Sequence, residues 1–151
     1  GFERGQADAE ILRLVAPGGC VQIFEYQFPK ASGQAELNEW VRRKFNLVWR
    51  LDEQKPRGSL RELCAPLLTH PRVREVRDLA CGFSQELDVE EFCGLIFSQA
   101  RAISHLSRLR DESEREAHRR DTVVELRGFF ERAGATKLVF HFKVAGHWIG
   151  V

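Results

Sequence analysis

Apolar and polar positions along the chain sort it into β-rich ends around a helical middle. Near the N-terminus, Ile11 to Val15 and Cys20 to Phe28 flank the breaker Pro17-Gly18-Gly19, a pattern that predicts a β-hairpin. A helix through Ile11 is the competing reading, because Ala9 to Val15 also supports two turns. Pro29 closes the second strand, and a helix over 34–51 follows. Leu37, Trp40, Val41, Phe45, Leu47, Val48, Trp49 and Leu51 spread over an arc of about 200° on its wheel, wider than a core-facing stripe requires. Either the helix is covered on two sides within the domain, the usual case for aromatics at helical spacing, or the flank with Phe45 and Trp49 is left for a partner.

Ser59-Leu60-Arg61-Glu62 has the capping-box spacing, in which each side chain satisfies a free backbone N–H, and it opens a short helix bent or shortened by Pro66. Over 71–83, Val73, Val76 and Leu79 fit helical spacing slightly better than alternation, without deciding the matter. Asp88 to Glu91 repeats the capping pattern before the most apolar helix, with Phe92, Ile96 and Ile103 as expected core and Arg110 marking where burial ends. From Arg108 to Asp121 nearly every residue is charged, and Asp111 with Arg115 and Glu116 with Arg120 predict an exposed helix. Thr122 to Glu125 reads as another capping box, before a helix that buries Phe130 and ends at Gly134.

The C-terminus alternates from Leu138 to Val144, and Ala145-Gly146 can turn the chain into a second hairpin with His147 to Val151. That register puts Phe140, Phe142, Val144, Ile149 and Val151 on one face and leaves Trp148 beside Lys143 on the other. The expected fold is α+β in two layers: N- and C-terminal β-hairpins in one antiparallel sheet, covered by four or five helices. Residues 9–151 form a single domain in this reading, and 1–8 a disordered or tag-derived N-terminus. A chain of 151 residues without methionine is expected to be part of a longer protein.

Composition narrows the chemistry. With 23 basic and 22 acidic residues the net charge is +1, which argues against a partner held by bulk electrostatics. No apolar stretch is long enough to span a bilayer, so no membrane partner is expected. Cys20, Cys64, Cys81 and Cys93 form no close ligand pair and are expected to be reduced and metal-free, implying an intracellular setting, cytoplasm or nucleus. Phosphate-loop, dinucleotide, zincin and Gly-x-Ser-x-Gly patterns are missing. The hairpin register puts His141 and His147 on opposite faces. Cys64 lacks a nearby base, since Pro66 separates it from His70, and Asp52-Glu53 and Glu90-Glu91 fit helix-end roles. No catalytic residue, cofactor or metal site is expected, although distant residues can still assemble an active site.

These observations favour a non-catalytic protein-protein interaction or assembly module that binds another protein or a second copy through exposed aromatics, a sheet edge, or both. Phe45, Trp49, Trp148 and Lys143 are its candidate contacts. The alternative is a nucleic-acid-binding domain using Arg42, Arg43, Lys44, Arg119 and Arg120 with the aromatic hairpin face.

Overall fold

A computed structural model describes residues 4–49 and 58–151. The expected first hairpin strand is instead the end of a helix, α1 (Arg4–Leu14), which starts inside the stretch expected to be disordered. Alanines at 7 and 9 favour helix, and Leu12 reaches the core while Ile11 and Leu14 stay exposed. The Arg72 guanidinium donates to the carbonyls of Leu12 and Val15, groups that a helix end leaves without partners. Gly18, at φ +83°, then turns the chain in a conformation that favours glycine.

β1 (Cys20–Ala31), β2 (Glu75–Asp88) and β3 (Lys137–Gly150) form one sheet in the order β1-β3-β2. The Val151 N–H donates to the Gly19 carbonyl at one end of β1, and the Ser32 N–H to Val139 at the other, so these neighbours run antiparallel. On the other side of β3, Arg74 donates to the Gly150 carbonyl and Phe83 stacks on Phe142, again antiparallel. The α+β class and the shared antiparallel sheet of N- and C-terminal segments are therefore observed, but the hairpin turns are not. β3 runs straight through Ala145-Gly146. Glycine is needed at 146 because a Cβ there would stand 2.8 Å from Phe24 Cα and press into the Ile23 carbonyl oxygen. The undecided stretch 71–83 contributes most of β2, whose residues 75–86 are all exposed and so carry no burial alternation to read.

The described residues divide into two compact units: 4–28, 58–83 and 142–151 in the first, 29–49 and 84–141 in the second. In the first, Leu12, Leu67, Ile149 and Val151 form the core, with Val15, Val21, Ile23, Leu68 and Val73 packed around it. Its helices α3 (Leu60–Leu63) and α4 (Ala65–Leu68) meet at Cys64, and Ser59 and Glu62 make the expected capping box. Pro66 lies in the first turn of α4, where a missing N–H costs no helical bond.

The second unit holds α2 (Ala35–Arg43), a π-turn at Lys44–Val48, α5 (Val89–Phe97), α6 (Ala100–Ser107) and α7 (Glu112–Arg132). Asp88 and Glu91 form the expected capping box, but the long helix after them breaks at Ser98-Gln99, whose side chains both donate to the Leu95 carbonyl. The break rotates Ile103 out of the core, leaving it 52% exposed, while Phe92, Ile96 and Phe130 are buried as expected. The two helices expected across 108–133 are one, α7, capped by Asp111. Thr122 sits in its middle and donates to the His118 carbonyl instead of capping. α5 packs on α7, and Phe92 stacks on Phe140 of β3 at 4.2 Å. Gly134, at φ +65°, follows the helix as expected. Leu51 and Asp52-Glu53 lie outside the described residues.

Candidate functional site

Within the first unit, the three strands have a face turned away from the unit's own core. In β1, Val21 and Ile23 pack on that core, so Phe24 and Tyr26 of alternate parity stand on the other side, 67% and 56% exposed. In β3, Ile149 belongs to the core, which puts Phe142, Val144 and Trp148 on the outer face, all half-buried. β2 joins them through cross-strand pairs: Phe83 stacks on Phe142 with ring centres 4.7 Å apart, and the Arg77 guanidinium lies 4.9 Å from the Trp148 ring centre. Leu79 and Cys81 share the parity of Phe83 and are also exposed. The result is a sheet face rich in exposed aromatic surface.

Its charge is nearly nil. Arg77 donates through Nε and Nη2 to the two carboxylate oxygens of Glu75, at 2.6 and 3.0 Å. That contact holds the Glu75 carboxyl below its ordinary range and raises the Arg77 guanidinium. Trp148 thus stands half-buried on the outer face, but it shares that face with Phe142 and Val144, which the hairpin register had set on the opposite side, and not with Lys143. In one unbroken strand Lys143 has the opposite parity to Trp148, whereas the hairpin register had set them side by side.

The other two expected contacts are elsewhere. Trp49 is fully buried, because the chain winds into a π-turn after Arg43 and so changes the helical phase on which the exposed flank depended. Its indole N–H donates to Nε2 of His118 at 3.0 Å, and its ring meets those of Phe45 and Phe97. Phe45 is half-buried against it. The large apolar residues that are exposed in that segment are Leu47 and Val48. They line a groove of about 750 Å³ with Trp40, Phe129 and charged residues including Lys44 and Glu125. The Trp40 indole and Lys44 ammonium both donate to the Glu125 carboxylate, at 2.6 and 3.1 Å. Burial raises the Glu125 carboxyl and those two contacts lower it, with a net lowering.

Most of the basic candidates have carboxylate partners. Arg42 is held bidentately by Glu39, Lys44 by Glu125, Arg119 by Glu112 and Arg120 by Glu116. Arg43 lines the groove.

All four cysteines are free, with Cys64 and Cys93 buried but Cys20 and Cys81 exposed, so only half of them are buried hydrophobes. Burial pushes the Cys93 thiol up to about 11 and also raises Cys64, which opposes thiolate formation at both. The hairpin argument that separated His141 from His147 no longer applies, and each has its own partner: Ser84 Oγ at 2.6 Å and Asp78 at 2.9 Å. Among the described residues, no three His, Cys, Asp or Glu side chains are placed to hold a metal ion, and no helix is long and apolar enough to cross a membrane.

Sequence reasoning missed Phe24, Tyr26, Leu79, Phe83 and Phe142 as one surface. The available signal was that β1 is apolar on both parities, Val21 and Ile23 on one and Phe24 and Tyr26 on the other, a composition typical of strands covered on both faces. Comparison with known protein families and with curated proteins finds no match to this chain.

Proposed function

We propose that the chain is a non-catalytic assembly module that docks another protein layer on the aromatic sheet face of its first unit. The observation that carries this reading is the exposure of Phe24, Tyr26 and Phe83 on the side of the sheet away from that unit's core. Contiguous exposed aromatic surface is costly in water and is enriched at binding sites. In this two-layer reading, the unit's own helices cover one face of β1 and β3, and the partner, another protein or a second copy, covers the other. The face's one acid and one base neutralise each other, which suits an apolar protein surface better than a polyanion. Four free thiols fit an intracellular setting for this assembly.

Nucleic acid remains the alternative partner, and salt distinguishes the two. Replacing Phe24 and Tyr26 together by serine is expected to abolish recovery of a protein partner while thermal stability stays nearly unchanged. Recovery of the wild type is expected to persist at high salt and after nuclease treatment. A partner lost equally with salt or nuclease, or retained by the double variant, contradicts the proposal.

A further inference from the structure

The second unit contains a polar contact that the docking face does not use. Trp49 ends the π-turn Lys44–Val48, and its indole N–H donates to His118 Nε2 in the first half of α7. The acceptor must be an unprotonated ring nitrogen, so His118 is neutral, with its proton on Nδ1. Phe45 and Phe97 meet the Trp49 ring, and Phe97 also lies 6.3 Å from the His118 ring. His105 of α6 stands beside it, ring centres 4.9 Å apart. Lys44 contributes positive charge from the turn, while Asp121 and Glu125 on α7 contribute negative charge. Arg108 adds positive charge near His105.

We propose that the Trp49–His118 hydrogen bond is an acid-released clasp that holds the segment from Lys44 to Trp49 against α7. Protonation of His118 places an N–H on Nε2, so two donors face each other at 3.0 Å and the bond is lost. The new charge lies on a half-buried ring, among aromatic side chains and beside a second imidazole, where it is solvated less well than in open water. Burial, His105 and Lys44 lower the His118 pKa, whereas Asp121 and Glu125 raise it, with a net lowering that keeps the clasp shut at neutral pH. Arg101 gives the segment a second, pH-independent tether by donating to the Phe45 carbonyl and the Asn46 side chain. Release therefore loosens the turn locally and reshapes the groove that Lys44, Leu47 and Val48 line. The device does not depend on the docking face.

The test is hydrogen exchange of the Trp49 indole and of amides 45–49, corrected for the intrinsic effect of pH, in the full chain and in His118→Gln. Glutamine offers an acceptor oxygen that does not titrate. The wild type is expected to lose about tenfold or more in protection between about pH 7.5 and about pH 5, and the variant to keep it. Undiminished protection in the wild type, or parallel loss in both proteins, overturns the proposal. Should His118→Gln not fold, the wild type decides alone: release must follow the NMR titration of the His118 ring, and a midpoint that departs from it overturns the clasp.

Discussion

The Arg77 guanidinium lies over the Trp148 ring at 4.9 Å, joining the edge strand β2 to the central strand β3 on the aromatic face. A cation held over an indole by a neighbouring carboxylate shields the ring without burying it. Arg77→Ala should therefore increase acrylamide quenching of tryptophan fluorescence with almost no change in stability. The added quenching should vanish when Trp148 is also replaced by phenylalanine. An unchanged quenching constant in Arg77→Ala contradicts this placement.

Close approach of β1 and β3 depends on the missing side chain at 146. Gly146→Ala forces a methyl group toward Phe24 Cα and the Ile23 carbonyl, both backbone atoms that cannot rotate away. We expect a loss of about 3 kcal/mol, the upper end of overpacking penalties, by denaturant unfolding. A loss below about 0.5 kcal/mol, the scale of ordinary surface changes, contradicts the strand pairing described here.

Two isoleucines seven residues apart should behave in opposite ways. Ile96 is fully buried, and Ile96→Ala should cost about 2–5 kcal/mol of stability. Ile103 is 52% exposed beyond the break at Ser98-Gln99, and Ile103→Ala should stay within about 1 kcal/mol of the wild type. Equal losses would restore one continuous helix. Trp49→Ala belongs with Ile96, since its ring is wholly enclosed, and should lose about 3–5 kcal/mol of folding free energy.

Acid should destabilise the second unit through its two half-buried histidines. His105 and His118 both have pKa values lowered in the folded state from the usual 6.5, each mainly by burial. Between the folded value and 6.5 the unfolded chain binds more protons, so stability rises with pH across that window. The contribution is complete above 6.5 and is lost as pH falls below it. Urea unfolding across this range should show the loss in the wild type and a smaller one in His118→Gln. Identical pH profiles would remove His118 from the account.

The local signals that could be read in the sequence were those made by neighbouring residues. The Ser59 and Asp88 capping boxes and the Gly134 helix end all appear where spacing put them. What could not be read was set by distant partners. The Ala145-Gly146 pair looks like a turn until Phe24 is known to lie against it, and Ile11 to Val15 looks like a strand until Arg72 is seen to hold its carbonyls. The wheel set Trp49 on the far flank, open to a partner or to further cover, because a regular wheel cannot anticipate a π-turn. Of the expected docking residues, Trp148 alone stands on the aromatic face. Its companions come from β1 and β2, whose alignment with β3 is a tertiary fact.

The proposed docking on the aromatic face is tested most directly by photo-crosslinking from that face. A benzoylphenylalanine at Tyr26, 56% exposed on the aromatic face, is compared with one at Val124, 66% exposed on α7 of the second unit. We expect a discrete, nuclease-resistant protein adduct from position 26, identified as another protein or a second copy, and none from position 124. No adduct at 26, equal adducts at both positions, or an adduct that is nucleic acid would contradict the assembly function.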